Sequence, residues 1–349
     1  DTSGSMDWSV INGDNQVCYI KKITQSNGNG NGNGNGNGNG NGNGNGNGNG
    51  GGGQVYYENV TCFASKDEYA EFDEQCYIGV NGVAVADCHD RRIDVAKNAM
   101  TQLVNDNSDI DFGLMRFRSN VGGYVVAKLG TDKTSLISDI NSLPASGSTP
   151  MTETLWEAYR YITGQSLDYA FNVSDRDKSA DNSVVYTSPF KPNNGDPLRC
   201  DNSINVILMT DGDPTNDDGR DTSIAQTHNS YFNDDIPFDD GTYDDSYLVA
   251  MAKILHGTSD TKVDLYTPST DVLDTGRLYT IGFGTGMSQG GIDLLDKAAR
   301  VGGGQYIEAR TAEALSEALK NTISRIREVN DSFSSPSVAS NNVDQTRSR

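Results

Sequence analysis

From residue 90 onward, segments whose apolar residues recur at helical spacing are followed by short apolar runs typical of strands. This order predicts helices and strands that alternate along the chain. In the stretch RRIDVAKNAMTQLVND, apolar residues recur every three or four positions, as they do on a helix with one buried face, and Asp90 is a candidate cap. The pattern predicts further helices within 133–143, 147–164, 247–255, 291–304 and 312–329.

Short runs rich in β-branched and aromatic residues lie between these helices and predict the strands. They cover 111–117, 123–129, the continuous apolar run Val206–Met209, 277–284 and 305–309. A continuous apolar run suits a strand that is buried on both faces, and strands that alternate with helices predict an α/β fold. We expect a doubly wound, mostly parallel sheet with helices on both faces, whose ligands bind at the carboxyl ends of the strands.

Three polar, turn-rich stretches interrupt this order and are predicted to be insertions into a domain that spans residues 1–329. These insertions are 7–89, 165–202 and 213–245. Within the first, 27–53 is an Asn-Gly repeat ending in glycines, and because none of its side chains could bury apolar area, a flexible linker is expected there. The Ser/Asn-rich residues 330–349 are expected to be extended.

The cysteines bear on the cellular compartment, because four of the five lie inside the first insertion. These four are Cys18, Cys62, Cys76 and Cys88. The cluster predicts two disulfides in an oxidising compartment, with three possible pairings, and leaves Cys200 free or paired elsewhere. A zinc site is disfavoured, since the chain has no CxxC motif and His89 is the single nearby candidate among the histidines.

The charge balance is strongly acidic and excludes some classes of function. Against 27 Lys and Arg, the 349-residue chain carries 48 Asp and Glu, which gives a formal net charge of −21. We therefore expect neither nucleic-acid binding nor electrostatic attachment to anionic lipid, since both use basic patches. No apolar run is long enough to span a membrane. The acidity either maintains solubility or suits a surface protein that binds divalent cations.

The first residues, DTSGSM, place one carboxylate and two hydroxyls at alternate positions. In extended backbone alternate side chains point the same way, so Asp1, Ser3 and Ser5 are expected to converge. Oxygen ligands in a compact loop suit a hard cation such as Mg²⁺. Thr149, in the loop before a helix, and Asp211, at the end of the most hydrophobic strand, would lie at the same edge of a doubly wound sheet.

Together, DxSxS, the lone threonine and the aspartate of MTDG resemble the von Willebrand factor A family, over residues 1–6 and 90–328. In that family the corresponding residues form the metal-ion-dependent adhesion site. The resemblance implies that five residues are metal ligands here, directly or through water: Asp1, Ser3, Ser5, Thr149 and Asp211.

These ligand types favour binding over catalysis. Mg²⁺ prefers near-octahedral oxygen coordination and keeps waters, and Mn²⁺ or Ca²⁺ are the alternatives. Three neutral hydroxyls and at most two carboxylates, bound directly or through water, would leave the cation incompletely neutralised, so that it would attract a carboxylate of a partner. No motif supplies a base or nucleophile, and the histidines at 89, 228 and 256 are scattered, with surface or cap roles expected. We therefore expect no enzymatic activity.

A closer resemblance is to PilY-type proteins, the tip-associated adhesins and assembly factors of bacterial type IV pili. It rests on the cysteine-bearing insertion after the first loop, on MTDGDPTND and on the tail DSFSSPSVASNNVDQTRS. In that family an A-type domain precedes a C-terminal β-propeller, so 330–349 would be a linker toward a propeller that lies outside this sequence. The family's strand order also implies that the first, central strand is missing.

The resemblance implies an extracellular location, at the cell surface, a pilus tip or the outer membrane. The first functional hypothesis is a metal-dependent adhesion module that binds an acidic residue of a host or surface protein, with a role in pilus assembly or surface sensing. Minor pilins are further expected partners. The alternative is a scaffold for pilus assembly in which the metal only orders loops.

The acidic third insertion raises a separate question about Ca²⁺. Its aspartates do not follow the spacing of the EF-hand loop, so a solvated acidic loop is favoured over a calcium site. Such a loop would influence partner choice through its negative field. The aspartates are Asp213, Asp217, Asp218, Asp221, Asp234, Asp235, Asp239, Asp240, Asp244 and Asp245.

Overall fold

The structure is a computed structural model that divides into two compact units, residues 14–89 and residues 1–13 together with 90–349. The residues described are 1–7, 17–24, 54–60, 76–80, 83–87, 91–191, 203–232, 246–267, 273–284 and 286–334.

The smaller unit contains an antiparallel sheet, whereas the sequence predicted a loop-rich insertion. Its strands are β1 (Val17–Thr24), β2 (Gln54–Val60), β3 (Cys76–Val80) and β4 (Val83–Asp87), in the order β2-β1-β3-β4. Cys18 lies opposite Ile78 and Cys76 opposite Ile20, so the register does not pair these two cysteines directly. The Asn-Gly tract 27–53, Cys62, Cys88 and Cys200 lie outside the described residues. The predicted disulfide pairing therefore stays open.

The larger unit alternates helices and strands in the predicted order. Its helices are α1 (Arg92–Asp106), α2 (Lys133–Asn141), α3 (Met151–Thr163), α4 (Asp221–Tyr231), α5 (Tyr247–His256), α6 (Gln289–Val301) and α7 (Ala312–Ser334). Its strands are β5 (Leu114–Phe117), β6 (Gly123–Ala127), β7 (Ser203–Thr210), β8 (Thr275–Phe283) and β9 (Gly303–Ala309).

Strands β7, β8 and β9 form a parallel sheet in that order, with helices on both faces. Successive side chains of a strand point to opposite faces of the sheet. Leu208 and Leu278 accordingly pack with α3, α5 and α6 in one core, whereas Met209, Ile281 and Phe283 pack with α1 and α7 in the other. The prediction of a parallel sheet flanked by helices is confirmed for these three strands.

Strands β5 and β6 form a separate antiparallel hairpin, and among the described residues β7 pairs with β8 alone. A groove of about 500 Å³ runs beside β7 and is lined by Ile204 and Ile207 from that strand and by Ile323 from α7. The observed parallel sheet is therefore smaller than the doubly wound sheet that the sequence predicted. That a central first strand is missing from the given sequence stays a prediction.

Helix α4 lies inside the stretch 213–245 that the sequence predicted to be an irregular acidic insertion. Its sequence, DTSIAQTHNSY, is mostly polar, and its buried residues are Ile224 and His228. The His228 ring packs 4.9 Å from the ring of Phe232, measured between centroids. The expected surface or cap role is therefore wrong for His228, whose ring is part of the core.

Two helix ends also differ from the prediction. Asp90 lies outside the described residues, and Arg91 is the residue that precedes the first turn of α1. Helix α7 continues to Ser334, through the first part of the tail that was expected to be extended. None of the described helices is both long and apolar enough to cross a membrane.

Candidate metal centre

The amino-terminal loop is held between the end of β5 and the loop before α3. Thr2 Oγ1 donates to the carbonyl oxygen of Phe117 (3.1 Å), and Ser146 N donates to the carbonyl oxygen of Thr2 (2.7 Å). Gly4 N donates to the carbonyl oxygen of Gly147 over 3.0 Å. These bonds satisfy main-chain groups that folding removes from water, and they fix the loop against distant parts of the sequence.

Asp1, Ser3, Ser5 and Asp211 meet in one hydrogen-bonded cluster, named here the oxygen cluster. Ser5 Oγ donates to Asp211 Oδ1 (2.7 Å), Ser3 Oγ lies 3.3 Å from the same oxygen, and the two hydroxyls are 2.8 Å apart. Asp1 accepts from Ser3 N through Oδ1 (2.6 Å) and from Asp211 N through Oδ2 (3.2 Å). Two loops that are far apart in sequence thus contribute two carboxylates and two hydroxyls.

Thr149 is buried in the adjacent loop, but within the described chain its side chain makes no hydrogen bond to the oxygen cluster. Its N–H donates to Thr215 Oγ1 (2.8 Å), and its carbonyl oxygen accepts from Thr215 N (3.1 Å). The loop contacts Gly4 of the amino-terminal loop through Gly147, whose φ of +107° and close contact with Ser119 exclude a side chain. The structure therefore brings together four of the five predicted residues.

Arg92 belongs to this site and was not found from the sequence. Its side chain is fully buried, and Nη1 donates to Asp211 Oδ2 over 2.7 Å. Arg92 shares the buried face of α1 with Ala96, Ala99 and Leu103. Because arginine is rarely buried without a charged partner, an arginine in register with an apolar stripe was the sequence signal that could have identified it.

The charges of the site nearly balance. The carboxylates of Asp1 and Asp211 and the guanidinium of Arg92 together carry one negative charge. A desolvated negative charge beside hydroxyl oxygens is stabilised by a cation.

The chemistry of the donors fits a hard divalent cation such as Mg²⁺, Mn²⁺ or Ca²⁺, since every one of them is an oxygen. In the part of the chain that the structure describes, no group of three or more His, Cys, Asp or Glu side chains could hold a metal ion. A metal site here would therefore depend on hydroxyl ligands. Asp1, Ser3, Ser5 and Asp211 would hold the ion, with Thr149 from the adjacent loop, and these roles stay predictions.

A second acidic contact lies in the segment that follows Asp211. Thr152 donates to both oxygens of Asp217, from N (2.6 Å) and from Oγ1 (2.7 Å), and Gly219 N donates to Glu153 Oε1 (2.7 Å). Loss of hydration and the facing carboxyl of Glu153 raise the pKa of Asp217 well above its usual value. Asp217 is thus a structural contact, whereas the sequence favoured a solvated loop.

This acid pair, Glu153 and Asp217, needs a proton to be satisfied. Glu153 Oε2 is buried, and no described residue donates a hydrogen bond to it. A proton on Asp217 would turn the contact into a hydrogen bond, and the raised pKa of Asp217 favours that protonation. Burial also raises the pKa of Asp221 to about 6, with Asp218 and Glu153 contributing. We therefore expect the stability of the segment beside the oxygen cluster to depend on pH.

Comparison with known proteins gives no family assignment. No family model matches the chain, and no curated protein matches it. The solved structure of BatB from Bacteroides thetaiotaomicron is 13% identical and covers 68% of this chain and 89% of its own, with a TM-score of 0.36.

Two pilus proteins are also similar in structure at low identity. The PilB minor pilin from Streptococcus sanguinis is 15% identical over 71% of this chain and 57% of its own, with a TM-score of 0.36. The pilus adhesin SpaC from Lactobacillus rhamnosus GG is 14% identical over 69% of this chain and 28% of its own, with a TM-score of 0.37.

Proposed function

We propose that this chain contains a von Willebrand factor A-type domain and acts as a metal-dependent adhesion module of a protein associated with type IV pili. The observation that supports the proposal is the oxygen cluster, in which the DxSxS loop meets the aspartate of MTDG. The pilus context rests on the sequence resemblance to PilY-type proteins. The expected location is the cell surface, and the expected partners are a host or surface protein and the minor pilins.

In this proposal the chain's own residues prepare an anion-binding position. Arg92 holds one oxygen of Asp211, so the other oxygen stays directed at Ser3 and Ser5. The main-chain bonds between Thr149 and Thr215 hold the adjacent loop in place. A bound divalent cation would supply an open coordination position for a carboxylate oxygen of the partner. Because the loops are already ordered, partner binding would cost little reorganisation.

Calorimetric titration of the chain with Mg²⁺ and Mn²⁺ tests the metal part of the proposal. We expect Ser5→Ala and Thr149→Ala each to weaken binding by about tenfold or more, as the loss of metal-site contacts typically does. Ser148→Ala is the matched control, because Ser148 precedes Thr149 in the same loop and contacts Asn216 instead. Equal metal binding by all three variants and the parent chain would rule out the assignment.

A second candidate function is the assembly scaffold, and the Arg92–Asp211 ion pair favours it. The pair neutralises one of the two carboxylates without any cation, so the loops are held together by the protein alone. In that case, the site would only hold the two loops together, and the partner would bind at another surface.

Counting pili and measuring adhesion per pilus separates the two functions in cells that make the whole protein. The adhesion module predicts that Ser5→Ala lowers adhesion per pilus and leaves the number of pili unchanged. The scaffold predicts the reverse, fewer pili with normal adhesion per pilus. Ser148→Ala again serves as the control and should change neither quantity.

A further inference from the structure

A second concave site lies at the amino end of the parallel sheet, opposite to the oxygen cluster. It is a cavity of about 720 Å³, which we name the basal pocket, and the first residues of β7 and β8 line it together with the end of α5. Its polar lining residues include Ser203, Lys253, His256, Thr258, Lys262 and Arg277. Cavities of this volume hold small-molecule ligands in many proteins.

The charge of the basal pocket is opposite to that of the chain. Lys253, Lys262 and Arg277 line it, and the described lining residues include no Asp or Glu. The whole chain carries 48 acidic against 27 basic residues. At physiological ionic strength charges beyond about 8 Å are largely screened, so a local group of cations can attract an anion to an acidic protein.

Two of these cations have no carboxylate partner in the described part of the chain. Lys262 is exposed, and it forms no ion pair there. Arg277 Nη1 donates to Ser203 Oγ over 3.0 Å, which leaves the other guanidinium N–H groups for a ligand. Burial lowers the pKa of His256, and Arg277 and Lys262 lower it further, so the positive charge comes from the lysines and the arginine.

We propose that the basal pocket binds an oxyanion, a phosphate or sulfate group that is either free or part of a small molecule. The planar guanidinium of Arg277 suits two oxygens of such a group, and Lys262 supplies a point charge. Thr258 Oγ1 accepts from Thr261 N (2.9 Å), so its own hydrogen is available to a further acceptor. The proposal does not depend on a metal at the oxygen cluster.

The test is titration of the full chain with inorganic phosphate and, separately, with inorganic sulfate, followed by calorimetry. We expect saturable binding at or below about 10 mM, and dissociation constants that rise with added NaCl. Tighter binding of phosphate than of sulfate would indicate a phosphate group as the natural ligand, and the reverse order a sulfate group. Acetate, with one charge, should bind more weakly than either.

Three variants assign the binding to this pocket. Arg277→Gln should weaken phosphate binding by about tenfold or more, and Lys262→Gln by a smaller factor. Lys262 is exposed, so Lys262→Gln should leave the core intact. It therefore keeps the test decisive if Arg277→Gln, on strand β8, folds poorly. Lys320→Gln, on the exposed side of α7, is the matched control and should bind as the parent does. No saturable binding, or equal binding by Lys262→Gln and the parent, would overturn the proposal.

Discussion

Glu153 and Glu157 lie one turn apart on α3 and are both buried, yet their surroundings differ. Glu157 accepts four hydrogen bonds, from Tyr186 Oη (2.7 Å) and from the N–H groups of Asp168 (3.2 Å), Tyr169 (2.9 Å) and Ala170 (3.4 Å). Glu153 accepts one N–H, from Gly219, and faces the carboxyl of Asp217. The carboxylate of Glu157 is surrounded by hydrogen-bond donors, whereas that of Glu153 faces another carboxyl group.

Because their hydrogen-bond partners differ, the two glutamates stabilise different segments of the fold in different ways. Burial raises the pKa of Glu157 and its donors act against that rise, so this side chain anchors the segment 165–191. Glu153 joins α3 to the segment 213–221 through a contact that needs a proton. That segment includes Thr215, which is bonded to Thr149 in the loop next to the oxygen cluster. The Glu157 anchor is therefore structural, and we expect the Glu153 contact to make the segment 213–221 responsive to pH.

The largest expected effect is the difference between Glu157→Ala and Glu153→Ala. The first variant leaves three N–H groups and the Tyr186 hydroxyl without their acceptor, and we expect it to lower the free energy of unfolding by more than about 3 kcal/mol. The second removes one acceptor and relieves the carboxyl contact, and it should cost about 1 kcal/mol. Urea unfolding measures both, and equal losses would contradict the comparison.

The pH dependence of stability isolates the acid pair. The pKa of Asp217 is raised in the folded state, so above pH 4 the folded protein binds more protons than the unfolded chain. The contribution of Asp217 to the free energy of unfolding is therefore complete at low pH, and it is lost as the pH rises from about 4 through the raised pKa. Asp221 should cause a further loss of stability between about pH 4 and pH 6.

Asp217→Asn should remove most of this slope. Asparagine keeps an acceptor for Thr152 N and can donate to Glu153, so the variant should gain stability relative to the parent as pH rises. Thermal melts between pH 4 and pH 8 measure the difference. Asp260→Asn, at an exposed position, is the control and should follow the parent. A constant offset between Asp217→Asn and the parent across this range would show that no shared proton is involved.

Tyr186→Phe should produce a smaller loss, because Glu157 keeps its three N–H donors. A hydrogen bond to a charged group contributes about 1.5–3 kcal/mol, and we expect a loss near the lower value for this buried hydroxyl. Tyr159→Phe is the matched control on α3, since among the described residues its hydroxyl bonds only to the neutral groups of Gln165 (3.2 Å) and Tyr231 (3.4 Å). If Tyr159→Phe lowered the free energy of unfolding by as much as Tyr186→Phe, the charge of Glu157 would not contribute to the loss.

The sequence predicted the elements whose burial follows a regular period. Helices α1, α5 and α6 and strands β7 and β8 have apolar residues at the spacing that faces a core, and their ends agree to within a few residues. Helix α4 was missed because its buried face includes a histidine and its other residues are mostly polar. Its position is set by packing, which residue type alone does not encode.

The candidate site was predictable only as far as the topology of a parallel sheet determines it. That topology places the loop after β7 at the carboxyl end of the sheet, where Asp211 contacts Ser3 and Ser5. Arg92 and Asp217 were not assigned, because their partners lie on other elements and no local spacing connects them. Long-range charge pairing depends on tertiary contacts that a pattern of hydrophobic positions does not specify.

The smallest expected effect concerns the pair that links the two glutamate regions, Arg220 and Asp168. Arg220 donates to both carboxylate oxygens, from Nε (2.7 Å) and Nη2 (2.6 Å), and its guanidinium lies 4.7 Å from the centre of the Tyr169 ring. Both side chains are partly exposed, so their coupling should be about 0.5–1 kcal/mol.

A double-mutant cycle with Arg220→Gln and Asp168→Asn measures this coupling by urea unfolding. We expect it to fall at high salt, because screening weakens partly exposed pairs. Asp168 also accepts from Trp156 Nε1, so the single Asp168 variant should lose more than the coupling itself. A coupling well above 1 kcal/mol would mean that the two segments form one cooperative unit. Since each segment has its own buried anchor on α3, we expect a weak link that lets 213–221 respond to pH without disturbing 165–191.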